Sequence, residues 1–156
     1  MLLNPVRVVV DADACPVKPE IASCVRAAGI RALLVSSHAH VLQSEEGVDI
    51  VTVDDSDQSA DLYIANALKA TDVLVTGDYG LAALGLARRA AVLTPRGKII
   101  GEDDIEGLLA QRHFSARQRR GGMRTRGPKP FTDEDRDRFQ QKLTLLIRRL
   151  QENRLS

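Results

Sequence analysis

Aromatic residues make up only 3% of this 156-residue sequence, and tryptophan is absent. A sequence-reading RNA module such as an RRM stacks bases on exposed aromatic platforms, so this composition argues against one. There are two cysteines, Cys15 and Cys24. That is too few for the disulfide scaffold of a small secreted domain. Met1 to Arg7 is too short for a signal peptide before the first strand begins, so reduced thiols and a cytoplasmic location are expected. No apolar run approaches the ~20 residues of a membrane span, and no membrane partner is expected. There is no P-loop. Gly77, Gly80 and Gly85 have the wrong spacing for a dinucleotide-binding fingerprint. Internal repeats and low-complexity tracts are also missing.

What is present suits one domain over residues 1–156, since domains typically run to roughly 100–200 residues. Hydrophobic residues reach 44% and charged residues 28%. The core is expected over about 5–110, followed by a basic segment and a C-terminal helix within 111–156. The net charge of +1 conceals a split. Residues 1–78 hold 5 basic against 12 acidic residues, and residues 79–156 hold 17 against 9. An acidic half and a basic half point to a cation site and a polyanion surface; uneven scatter of charge is the plainer explanation.

Local patterning predicts an alternating fold. Val6 to Val10 is a nearly continuous apolar run, as in a parallel strand buried on both faces. Pro16 suits the first turn of a helix that runs to Ala28 and stops at Gly29. Strands follow at Ala32–Val35, Val48–Val53, Val73–Val75 and Ala91–Leu93. Ser59 is placed to cap a helix carrying Leu62, Ala65 and Leu68, and an Ala/Leu-rich helix runs to Arg89. Helices are also expected over Ile105–Arg120 and from Thr132 onward. The fold class is therefore α/β: a three-layer α/β/α sandwich with a mostly parallel five-stranded sheet, plus C-terminal helices.

In open α/β sheets, ligands bind beyond the carboxyl ends of the strands. Asp11 and Asp13 end the first strand, Asp54 and Asp55 the third, and Asp78 the fourth; Asp61 lies early in the following helix. Carboxylates converging on one rim repel unless a cation neutralises them. All-oxygen ligands suit Mg²⁺ or Mn²⁺, and paired ions of this kind support phosphodiester hydrolysis. Each acid also has a plainer reading as a helix cap or turn residue, and Asp57 and Asp72 are read that way. Two acids directly after a buried strand carry a repulsion that capping does not require.

Several segments resemble one family. Val8-Val9-Val10-Asp11-Ala12-Asp13-Ala14-Cys15-Pro16 resembles the opening signature of the YaiI/YqxD family of bacterial proteins. Ser59-Ala60-Asp61, Val75-Thr76-Gly77-Asp78-Tyr79-Gly80-Leu81-Ala82, Pro95-Arg96-Gly97 and Gly127-Pro128-Lys129-Pro130 match as well, with Thr94 where the family often has Asn. The likeness extends to about Leu150. That family is grouped with PIN-like domains, metal-dependent ribonucleases with an α/β/α sandwich. The resemblance implies that Asp11, Asp61 and Asp78 hold the ions, with Asp13 an added ligand, and that RNA is favoured over DNA.

The basic stretch is the second strong signal. Arg112, Arg117, Arg119, Arg120, Arg124, Arg126 and Lys129 occupy eighteen residues without one acid. Arginine pairs bidentately with phosphate, and such clusters bind nucleic-acid backbones independently of sequence. The competing reading pairs them with Glu102, Asp103 and Asp104, although surface ion pairs contribute little. Arg96, expected on the same rim as the acids, can clamp a phosphate, steady a carboxylate or simply occupy a turn. Phe114 and Phe131 flank the stretch. Cys15, at a helix start where its pKa should fall, is read as packing, and His38 and His40 as loop residues.

These features make the leading expectation a Mg²⁺- or Mn²⁺-dependent nuclease. Asp11, Asp13, Asp61 and Asp78 are its catalytic and metal-binding residues. Arg96, Arg117, Arg119, Arg120, Arg124, Arg126 and Lys129 are its nucleic-acid-binding residues. Ser36, Asp54 and Asp55 are candidates for orienting water or ligands. A haloacid-dehalogenase-like phosphatase with Asp11 as nucleophile ranks below it, because the second acid expected beside Asp78 and a suitable Lys are missing. A non-catalytic nucleic-acid-binding protein is the third reading.

Overall fold

The computed structural model describes every residue except 1–4, 38–41, 44, 54–56, 108–109, 111–128 and 156, and gives only the backbone of 57–59 and 154–155. In chain order the elements are β1 (Arg7–Asp11), α1 (Lys18–Ala28), β2 (Arg31–Ser37), β3 (Val48–Val53), α2 (Asp57–Ala67), β4 (Asp72–Val75), α3 (Tyr79–Ala87), β5 (Ala91–Leu93), β6 (Ile99–Ile100), helical residues 102–107 (α4) and α5 (Asp133–Leu155). The sheet runs β3-β2-β1-β4-β5-β6. The first five strands are parallel, and β6 is antiparallel to β5. Five strands were expected; β6 is added by a tight turn in which Gly97 N–H donates to the Thr94 carbonyl.

β1 lies at the middle, and Val8, Val9 and Val10 are fully buried. Alternation sends Val8 and Val10 to the face covered by α1 and α5, with Ile21, Val25, Phe139 and Leu143. Val9 goes to the opposite face, with Ile64, Leu68 and Leu81 of the α2–α3 layer. Strands buried on both faces lose their polar alternation, which is why β1 reads as a continuous valine run. Helices on both faces make this a three-layer α/β/α sandwich.

Helix ends follow local chemistry. α1 starts at Lys18 with Pro19, not Pro16, in its first turn, and ends at Gly29 with φ 68°, the left-handed conformation glycine adopts at low cost. α2 begins at Asp57, two residues before the expected cap at Ser59. α3 stops at Ala87, slightly short of the Arg89 expected. At the start of α5, Thr132 Oγ1 accepts from the Asp135 N–H (3.1 Å), and Asp135 Oδ2 accepts from the Thr132 N–H (3.0 Å). This reciprocal cap satisfies two otherwise orphaned donors. The remainder of the helix expected to Arg120 lies outside the described residues.

Two ion-pair systems brace the ends of the sheet. At the amino end, Asp72 is 1% exposed and accepts from Arg7 Nε (3.2 Å), Arg7 Nη2 (2.8 Å) and the Lys69 N–H (2.8 Å). At the carboxyl end, Arg96 reaches from the β5–β6 turn to Asp135 (2.8 Å), while Arg136 joins α5 to Glu20 of α1 (2.7 Å). The turn touches α5 closely. Gly97 has φ 87°, and a Cβ there would stand 2.7 Å from the Phe139 nitrogen and 2.8 Å from the Arg138 carbonyl carbon. Gly97→Ala should therefore cost about 1–3 kcal/mol from backbone conformation alone, with crowding added. Urea unfolding should show a lower midpoint at an unchanged m-value.

Candidate acidic site at the carboxyl rim

The sheet order makes β1 the neighbour of both β2 and β4. Strands that leave β1 in opposite directions define a topological switch point, the usual place for a ligand crevice. Asp11 is the last residue of β1 and stands there, half-buried. Thr76, just beyond β4 and buried, donates its hydroxyl to Asp11 Oδ2 (3.1 Å). The same Thr76 oxygen accepts from the Asp78 N–H (3.0 Å). Asp78 in turn caps α3, its Oδ1 accepting from the Leu81 N–H (3.0 Å). Asp13 is held differently: its carboxylate accepts from the Ser37 N–H at the end of β2 (2.9 and 3.2 Å).

Electrostatics ties these groups together. Burial pushes the Asp11 carboxyl above the ordinary aspartate range, and repulsion from Asp61, Asp13 and Asp78 adds to the rise, against the lowering effect of the Thr76 hydrogen bond. The four acids singled out in the sequence thus act on one rim, contributed by the end of β1 and the turn after it, α2 and the β4–α3 junction. They do not form a closed ligand shell: among the described residues, no three His, Cys, Asp or Glu side chains group tightly enough to hold a metal ion. As donors, carboxylates are chemically suited to a hard divalent cation.

Other expected residues lie elsewhere. Arg96 is engaged by Asp135, by the carbonyls of Pro130 (3.2 Å) and Lys129, and by the face of Phe131. It steadies a carboxylate, that of Asp135 and not of the rim acids. Lys129 is exposed nearby. Arg112, Arg117, Arg119, Arg120, Arg124, Arg126, Phe114, His38, His40, Asp54 and Asp55 lie outside the described residues. Phe131 is half-buried, with the guanidinium of Arg136 5.1 Å from its centroid. Ser36 is buried, and its hydroxyl has no hydrogen-bond partner among the described residues; strand alternation puts it on the α1 face, opposite Asp11. Burial pushes the Cys15 thiol up, reversing the lowering expected at a helix start. Thr76 is the residue that sequence reasoning passed over. Its signal was a hydroxyl between a buried strand and the Gly-Asp that opens the next helix.

Comparison with known proteins adds the family. The model of the uncharacterized YaiI/YqxD family matches residues 9–149. The chain belongs to the YaiI/YqxD family. This family member is 44% identical over 140 residues to the UPF0178 protein BH1374 of Halalkalibacterium halodurans, covering 90% of this chain and 89% of the relative. It is 41% identical over 143 residues to the UPF0178 protein ABC1688 of Shouchella clausii, covering 92% and 93%. Against the UPF0178 protein NT01CX_0440 of Clostridium novyi it is 39% identical over 146 residues, covering 94% and 97%. No solved structure is a significant match to this YaiI/YqxD chain.

The raised Asp11 has a sign that can be tested. Its folded form holds a proton more tightly than the unfolded chain does, so ionisation destabilises the fold. The penalty is absent below the ordinary aspartate value. It develops as the pH rises through that value and is complete above the raised folded value. In EDTA, Asp11→Asn should melt at an equal or higher temperature than the native chain at pH 7. Its advantage should shrink as the pH is lowered into the carboxylate range. Calorimetry across that range reads both.

Proposed function

We propose that this chain is a Mg²⁺- or Mn²⁺-dependent nuclease that hydrolyses phosphodiester bonds, with RNA favoured over DNA. The observation that carries the reading is the gathering around Asp11 of Asp13, two residues further on, Asp61 of α2 and Asp78 at the start of α3, at the switch point of a parallel sheet. Carboxylates brought together raise one another's pKa, a cost that capping and turn formation do not require and that a bound cation reverses by favouring the ionised form. The PIN-like grouping implied by the resemblance agrees in assigning the ions to Asp11, Asp61 and Asp78.

Each side chain has a distinct task in this reading. Thr76 restrains Asp11 and, through the Asp78 N–H, sets the start of α3. Asp78 caps α3 with one oxygen, and its charge acts on Asp11. Asp13 is oriented by the β2 backbone. When bound, the ion supplies positive charge against the phosphodiester's developing negative charge and makes water a stronger nucleophile. Arg117, Arg119, Arg120, Arg124 and Arg126 hold the backbone phosphates of the substrate, giving affinity without sequence preference.

Asp78→Asn is the informative variant. Asparagine caps a helix about as well as aspartate, so α3 should persist while the charge is lost. Cleavage of a single-stranded oligonucleotide blocked at both ends should occur with Mn²⁺ and stop with EDTA. Asp78→Asn should lower that rate roughly 100-fold or more, at or beyond the 10–100-fold typical of groups that only support a metal ligand. Phosphomonoester hydrolysis through an aspartyl-phosphate trapped on Asp11, without oligonucleotide cleavage, would overturn the reading.

A further inference from the structure

A cleft of about 720 Å³ opens beside the acidic rim, between the ends of β4 and β5 and the start of α5. Its size is that of a small-molecule site, typically roughly 300–1,000 Å³. Ala14 and Gly77 line it, and these follow Asp13 and precede Asp78 in the chain. The cleft therefore begins where the acids end.

The two regions carry opposite charge. The cleft is lined by Arg96, Lys98, Lys129 and Arg138 against one acid, Asp135. Asp135 is already matched, accepting from Arg96 (2.8 Å) and Arg138 (3.0 Å). Those contacts account for the two arginines, and Arg138 also donates to the Arg96 carbonyl (3.1 Å). Lys98 and Lys129 differ. Both are exposed, and among the described residues neither ammonium has a carboxylate partner. Two ammonium groups without a carboxylate partner in one concavity suit an anion, and lysine is a natural point charge for phosphate.

The cleft is more than a patch of charge. Tyr79, half-exposed at the first turn of α3, and Pro95 supply an unpaired apolar wall. Phe131 also lines the cleft, but its ring is occupied by Arg96 and Arg136. A phosphate-binding pair of lysines beside a tyrosine that can stack a base is the chemistry that recognises a nucleotide.

We infer that this cleft is a nucleotide subsite, in which Lys98 and Lys129 bind a phosphate and Tyr79 with Pro95 packs against the base. The inference rests on the nuclease reading only for the subsite's role. Next to the acids, it holds the nucleotide adjoining the scissile bond, so that the phosphate gripped by the lysines is one step along the backbone from the phosphate at the rim. Nothing in the subsite itself requires a metal.

Titration calorimetry on the full chain in EDTA tests the subsite with AMP, adenosine and inorganic phosphate as probes. AMP should bind more tightly than either adenosine or phosphate. The exposed double variant Lys98→Gln/Lys129→Gln should keep its melting temperature and weaken AMP about tenfold or more. Tyr79→Ala should weaken AMP by roughly tenfold, the scale of one base–aromatic stack, and leave phosphate unchanged. Three results would each overturn the subsite: no binding of AMP by the native chain, unchanged AMP affinity in the lysine variant, or phosphate binding as tightly as AMP. The nuclease reading fails separately, through absent Mn²⁺-dependent cleavage. AMP binding without cleavage would leave a nucleotide site beside an inert rim, and cleavage without AMP binding would leave the rim without this cleft.

Discussion

The burial of β1 on both faces governs the rest of this molecule. Val8, Val9 and Val10 are enclosed by α1 and α5 on one side and by α2 and α3 on the other. Each valine contributes roughly 1.5–3 kcal/mol by leaving water, so the strand cannot slide to relieve what stands at its end. One residue of slip would exchange the two faces, undo the packing of each valine and draw Arg7 or Asp11 into the buried part of the sheet. Asp11 is therefore held at the edge of the sheet, half-buried and close enough to three other acids to be raised in pKa. The stability of the core sustains a local electrostatic cost that the rim could not sustain alone.

How that cost is distributed matters for function. Thr76 donates to Asp11 and accepts from Asp78 N–H, so one buried hydroxyl couples the end of β1 to the start of α3. Asp13 and Asp78 each take a backbone N–H, which fixes their positions. The outcome is a rim that is positioned in advance, with the Asp11 carboxyl pushed up by burial and by its acidic neighbours. A hydrogen bond to a backbone amide orders a carboxylate; only a cation removes its repulsion with neighbours.

The second layer of design is the connection of α5 to the same edge. The reciprocal cap of Thr132 and Asp135, the Arg96–Asp135 pair and the Arg136–Glu20 pair gather the β5–β6 turn, α1 and α5 around one corner. Gly97 allows the turn to approach the α5 backbone more closely than any side chain would permit. This corner forms the wall of the cleft beside the acids, so the C-terminal helix shapes the region next to the rim as well as covering the sheet.

Much of this was legible in the sequence because it is local. The valine run before Asp11, the glycine after Ala28 and the acids in the first turn of α5 each reflect rules that act within one turn or one strand. The placement of Asp11, Asp61 and Asp78 at strand ends or early in the next helix was local too, and so was their assignment to one edge of a parallel sheet. Tertiary structure alone decided which of those edges touch. The order β3-β2-β1-β4-β5-β6 sets β1 beside β4, and thereby joins Asp11 to Thr76 across 65 residues. It also turned Arg96 toward Asp135 and made β6 by folding Ile99 and Ile100 back on β5. Strand pairing and ion pairing between distant segments depend on the closure of the whole sheet, and no periodicity within a single segment encodes them.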